Sequence, residues 1–145
     1  LDLIAVVIGV SLGFIRLGNF MNSEIIGMPT TKLWGVIFAR VDNLPRHPSQ
    51  LYEAISYFII LAIMIILYLK MRYKLKNGIL FGLATVLFFI ARFLIEFLKE
   101  DQVGFEEGMT FNMGQLLSLP YIAVGIGFIV YGLWKTKKLS AQHRI

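Results

Sequence analysis

The 145-residue chain contains no cysteine, which removes a disulfide framework, a thiolate metal site and a cysteine nucleophile together. Any thiol chemistry must bring its thiol with the substrate. Histidine is scarce as well: outside the C-terminal tail only His47 remains, so a single imidazole is at hand for proton transfer. Acidic residues number nine against fourteen lysines and arginines, for a net charge of +5. The cations stand in short segments beside apolar runs, which reads as membrane topology and not as a nucleic-acid partner. There is no repeat, no low-complexity segment and no signal peptide with a cleavage site. The chain opens on Leu1 without methionine, just ahead of an apolar run, and is expected to be a piece of a longer protein.

Apolar residues are abundant. They make up 57% of the chain, aromatics 14%, and the mean hydropathy is +0.73, more than a globular surface tolerates. The expectation is an all-α membrane protein: one transmembrane helix bundle over 1–145 with a small extramembrane arm. Spans are expected at about 3–21, 51–69, 79–98 and 115–134, each near the 20 residues that cross a hydrocarbon core. The arm, about 22–50, mixes turn formers, charges and short apolar pieces. Within it Leu33 to Arg40, with Trp34 and Phe38, suits either a short strand or an interfacial segment. Pro48 is expected at the first position of the second helix, with Gln50 reaching back to its cap. Pro120 falls within the first turns of the last span.

Orientation follows from charge. Lys70, Arg72, Lys74 and Lys76 precede the Asn77-Gly78 turn, and Lys135, Lys137 and Lys138 follow the last span. Two spans separate these basic blocks, so both lie on one side, which the positive-inside rule makes cytoplasmic. The lysines also suit contact with anionic membrane lipids. Glu100, Asp101, Glu106 and Glu107 then lie outside with the arm. Arg16, His47 and the Arg92/Glu96 pair are thereby expected to converge near the outer face.

The stretch Arg16-Leu17-Gly18-Asn19-Phe20-Met21-Asn22-Ser23-Glu24-Ile25-Ile26-Gly27 ends an apolar run and combines charge, amides and glycines. Arg16 offers a five-donor fork suited to phosphate, Asn19 and Asn22 offer amides, and Gly27 allows close backbone packing or a turn. With Arg92, Glu24 and Glu96 these groups suit an anionic lipid headgroup: arginines neutralise the phosphate, and glutamates hold the arginines. His47 is the candidate base for a substrate thiol. Each has a plainer alternative. Arg16, Asn19 and Glu24 could be a polar network tying helices together. Arg92 and Glu96, four residues apart, could neutralise one another. His47 could cap a helix or dock the arm.

Four motifs in order carry a family resemblance: the Arg16 to Gly27 stretch, Arg46-His47-Pro48-Ser49-Gln50-Leu51-Tyr52-Glu53, Arg92-Phe93-Leu94-Ile95-Glu96-Phe97, and Met113-Gly114-Gln115-Leu116-Leu117-Ser118. Together they resemble the C-terminal portion of the prolipoprotein diacylglyceryl transferases. The resemblance implies a multi-helix membrane body with a central lipid cavity, a periplasmic arm, and no metal or organic cofactor. It implies transfer of a diacylglyceryl group from phosphatidylglycerol to the lipobox cysteine of a prolipoprotein signal peptide, with release of glycerol phosphate, in the bacterial inner membrane. The resemblance implies that Arg16, Asn19, Glu24, Gly27, Arg92 and Glu96 match the family's functional positions. With His47 added from its own chemistry, the expected catalytic set is Arg16, Asn19, Glu24, His47, Arg92 and Glu96, and the expected substrate contacts are Arg16, Asn22, Gly27, Gln50, Tyr52 and Arg92. Ile15 stands where the family commonly has glycine and Lys99 where many members have arginine. The family also carries a histidine motif in its N-terminal half, a second candidate for the base. The rival expectations are an anionic-lipid-binding or lipid-transport protein without covalent chemistry, and an assembly subunit whose polar residues only lock helices.

Overall fold

The computed structural model describes residues 2–71, 78–100 and 111–142. The basic block at 72–77 and the acidic stretch at 101–110 lie outside the described residues. Four helices carry the fold: α1 (Asp2–Met21), α2 (Ser49–Met71), α3 (Ile79–Glu96) and α4 (Met113–Gln142), with β1 (Val36–Ile37) and β2 (Pro45–Arg46) between α1 and α2. All four helices are long and apolar enough to cross a membrane. They form because each is a predominantly apolar run with its few charged residues gathered near its ends, and in lipid a helix satisfies every backbone group internally.

The helices start and stop for reasons that hydropathy alone does not show. Pro48 stands just before α2 instead of inside it, and its carbonyl accepts from Leu51 and Tyr52 N–H at 2.9 and 3.2 Å. Gln50 does not reach back to that cap. α3 ends at Glu96, short of the expected Leu98, because the chain turns there to hydrogen-bond with the arm. α4 begins at Met113, before the expected Gln115, because Asn112 and Gln115 form a capping box: Gln115 N–H donates to Asn112 Oδ1 at 3.0 Å and Asn112 N–H to Gln115 Oε1 at 3.2 Å. It runs through Pro120 to Gln142, well past Trp134, since lysines prolong a helix readily once it has left the bilayer.

The interior is small. Tyr57, Ile60 and Met64 of α2 meet Leu80, Ala84 and Phe88 of α3, while Leu3, Ile59, Ile66, Val124 and Val130 point outward. An apolar exterior over a modest core fits a bundle whose solvent is lipid. α3 and α4 pack through glycine: a Cβ on Gly82 would lie 2.6 Å from the Gly125 carbonyl oxygen. At the end of the bundle away from Arg16, the Asp2 carboxylate of α1 caps α3, accepting from Gly78 N–H at 3.0 Å and Phe81 N–H at 2.8 Å.

The arm is ordered. β1 and β2 pair antiparallel with Val36 opposite Arg46, so Leu33 to Arg40 yields a strand only at Val36–Ile37. Single bridges then join Pro29 to Arg46 and Gly27 to Lys99. Phe38 is buried edge-on against Phe20 of α1, and Trp34 Nε1 donates to the Tyr52 hydroxyl of α2 at 2.9 Å. The arm is thereby fastened to two helices.

Candidate functional site

The C-terminal ends of α1 and α3 and the N-terminal ends of α2 and α4 meet at the same end of the bundle, and a chain of charges joins them. Arg16 Nε lies 3.1 Å from Glu53 Oε2; Glu53 Oε1 accepts from Lys99 Nζ at 3.1 Å; Lys99 Nζ donates to Glu96 Oε2 at 2.9 Å. Glu53 is fully buried and Lys99 and Glu96 nearly so, while Arg16 keeps a partly open edge. The Tyr57 hydroxyl adds a longer bond to Glu53 Oε1 at 3.4 Å. Opposite charges alternate along this chain, as burial requires, because an unpaired buried ion is costly.

Glu96 closes the chain against α4. Its carboxylate occupies the space where Gly114 has no Cβ, so any side chain there would collide with it. The first turn of α4 thus approaches with its N-terminal dipole toward a carboxylate, a favourable arrangement. Asn112 Nδ2 also donates to the Glu96 carbonyl at 3.4 Å.

The signature loop after α1 is strained and clamped. Ser23 and Ile25 have φ of 59° and 54°, values that residues other than glycine rarely adopt and β-branched Ile25 least of all. The surrounding structure holds them there: Glu24 N–H donates to the Asn19 carbonyl at 2.9 Å, Gln50 Nε2 to the Glu24 carbonyl at 2.6 Å, and Ser49 Oγ to the Ile25 carbonyl at 3.1 Å. Gly27 then threads between two backbones, donating to His47 O at 3.1 Å, while Met28 N–H donates to Leu98 O at 2.9 Å. A Cβ on Gly27 would collide with the His47 carbonyl. Its conformation is ordinary; the space is what demands glycine.

Arg46 secures the arm beneath this loop. Its Nη2 and Nε donate to Asp42 Oδ2 at 2.6 and 3.1 Å, and Nη1 donates to the Gly27 carbonyl at 3.2 Å and Glu100 Oε2 at 2.9 Å. These hydrogen bonds, helped by the Leu44 N–H, hold the Asp42 carboxyl below the ordinary range.

The expected residues therefore divide. Arg16 and Glu96 enter the charge chain. Arg92 is half-buried on α3, one helical turn before Glu96. Glu96 pairs with Lys99, so the Arg92–Glu96 pairing is replaced by one three residues along the chain. Asn19 is partly buried, and Asn22 and Glu24 are exposed. The glutamate that holds Arg16 is Glu53, not Glu24. Gln50 and Gly27 position the loop. His47 is part of the arm: its N–H donates to Met28 O at 3.0 Å, and its Nδ1 shares a hydrogen bond of 3.1 Å with the Tyr52 hydroxyl. Glu53, Lys99 and Ser49 were not expected in the site. A carboxylate opening a spanning helix is itself a signal, since such groups in membrane segments rarely lack a task. Among the described residues no three His, Asp or Glu side chains gather as metal ligands.

Comparison with known proteins bears on the same residues. The family model described as prolipoprotein diacylglyceryl transferase matches residues 1–131. A phosphatidylglycerol–prolipoprotein diacylglyceryl transferase of Bacteroides fragilis is 51% identical over 138 residues, covering 94% of this chain and 50% of that protein. The Tolumonas auensis protein of that name is 53% identical over 113 residues, with coverages of 78% and 43%, and that of Chloroherpeton thalassium 47% over 114, with 79% and 42%. The chain spans about half the length of these relatives. Four spanning helices, the clamped signature loop and this match over nearly the whole sequence place the chain, a multi-pass membrane protein, in the prolipoprotein diacylglyceryl transferase family.

Proposed function

We propose that the protein containing this chain transfers the diacylglyceryl group of phosphatidylglycerol to the thiol of a prolipoprotein's lipobox cysteine. The observation that carries this is Arg16. It is paired with the buried Glu53 carboxylate yet keeps a partly open edge, and half-buried Arg92 on α3 offers a second guanidinium at this end of the bundle for a phosphate.

In the proposed step the substrate thiolate attacks the glycerol carbon bonded to the phosphate oxygen. A carbon–sulfur bond forms, the carbon–oxygen bond breaks, and its electron pair leaves on the phosphate oxygen of glycerol phosphate. Charge on the phosphate grows as that bond breaks, and two guanidinium groups stabilise it more in the transition state than in the ground state. A thiol must first lose its proton, because the thiolate is the nucleophile. The His47–Tyr52 bond supports arm docking as the role of His47, with the base supplied from elsewhere in the protein. The loop-clamping Gln50 and Gly27 act through the backbone, and Asn19 and Asn22 are assigned to the glycerol and ester oxygens. The lysines at the far end of the bundle support an outward-facing site in the bacterial cytoplasmic membrane.

A lipid-transport reading would be favoured by an apolar run broken at Pro120, and α4 is continuous there. The deciding experiment incubates the complete reading frame with phosphatidylglycerol and a lipobox peptide, followed by mass spectrometry. A diacylglyceryl mass gain on the cysteine peptide and none on its serine counterpart, with glycerol phosphate released, is the expected result. Phosphatidylglycerol binding without mass gain would replace this reading with a lipid-binding one.

A further inference from the structure

Glu53 is the one fully buried carboxylate among the described residues, and its two oxygens are treated unequally. Oε1 accepts from Lys99 Nζ and from the Tyr57 hydroxyl. Oε2 accepts no hydrogen bond, although Arg16 Nε stands 3.1 Å away. Buried carboxylate oxygens ordinarily collect aligned donors. Here the attraction is present and the hydrogen-bond alignment is not, so Oε2 holds the guanidinium by charge.

The surrounding charges give this a purpose. Arg16 and Lys99 balance Glu53 and Glu96, and Arg92 adds one cation with no ion-pair partner among the described residues. The four linked groups are neutral together, and Arg92 is a further cation on the helix that carries Glu96, suited to the single negative charge of a phosphodiester headgroup.

From this arrangement, and resting on the transfer reading above, we infer that Glu53 is a positioning residue for the carbon–oxygen cleavage: it fixes the Arg16 guanidinium for the departing phosphate and limits how tightly the site holds the intact lipid. The two effects oppose one another in binding and turnover. Neutralising Glu53 raises the local positive charge, which strengthens attraction to the ground-state headgroup. It also frees Arg16 from its station, which weakens the interaction made as the bond breaks. A residue with a merely structural role would degrade both together.

The test uses the complete reading frame in nanodiscs, comparing wild type, Glu53→Gln, Arg16→Ala and the double variant. Turnover is followed with a lipobox peptide, and phosphatidylglycerol binding is measured separately. Glu53→Gln is expected to lower kcat by about ten- to a hundredfold while KM for phosphatidylglycerol stays level or falls. Its effect on kcat is expected to vanish in the Arg16→Ala background, as coupled neighbours require. A kcat within about twofold of wild type, a raised KM, or an additive effect on kcat overturns the inference. If Glu53→Gln does not fold, Glu53→Asp keeps the charge at shorter reach and must lower kcat with KM unchanged; an unaltered kcat overturns the inference. If wild type itself transfers nothing, the transfer reading fails, and binding alone then decides whether Glu53 limits the hold on phosphatidylglycerol: binding no tighter in Glu53→Gln than in wild type overturns that part as well.

Discussion

Arg46 and Glu100 are 54 residues apart and meet at 2.9 Å, Nη1 to Oε2, which ties the arm to the segment leaving α3. Arg46 also holds Asp42 and the Gly27 carbonyl. Replacing it by methionine is expected to loosen the arm by about 1–2 kcal/mol, since both carboxylates can rehydrate at their exposed edges. Hydrogen exchange over residues 26–30 and 45–48 should accelerate while α3 and α4 remain protected.

The same contact gives a pH signature. The carboxyl of Asp42 is depressed in the folded arm by Arg46, so its contribution is complete above the ordinary carboxylate range and is lost as pH falls through the lowered value. Trp34 fluorescence, isolated in a Trp134→Phe background, should report arm release only under strongly acidic conditions, and Asp42→Asn should abolish that transition.

Two glycines of one signature should behave oppositely. A Cβ on Gly27 meets backbone on both sides, and Gly27→Ala is expected to destabilise by about 2–3 kcal/mol. A Cβ on Gly18 meets nothing within 4 Å, and Gly18→Ala should stabilise α1 by about 0.5–1 kcal/mol. Thermal unfolding in one detergent compares them directly.

His47 separates docking from proton transfer. His47→Asn keeps a polar atom near Nδ1 for Tyr52, and under the docking role it should preserve transfer within about threefold, whereas loss of a general base would reduce it about a hundredfold or more. Initial rates with saturating peptide distinguish the two.

Asp2 offers a control far from the chemistry. Asp2→Ala removes the acceptor of two N–H groups at the start of α3, those of Gly78 and Phe81, and should lower stability by about 1–2 kcal/mol with kcat unchanged.

Much of this was legible in the chain. Each helix is an apolar run that ends near a charge or a turn, and alternating spans carry Arg16 and Glu96 to the same end. Asn112 and Gln115 spelled a capping box that hydropathy alone passed over. Most partners could not be read, because their pairing is tertiary. Nothing local says that Glu53 faces Arg16 or that Asp2 caps a helix 76 residues away, whereas the Glu96–Lys99 pair, three residues apart, was within reach of the sequence.

The clamped loop has an evolutionary consequence. The carbonyls of Glu24, Ile25, Ile26 and Gly27 are claimed by Gln50, Ser49, Glu100 and Arg46, groups from different parts of the chain. A single inserted residue would shift every carbonyl after it to the wrong claimant, and a deletion would do the same in reverse. The interval from Arg16 to Gly27 is therefore a ruler. Selection can exchange letters within it, but it cannot change its length.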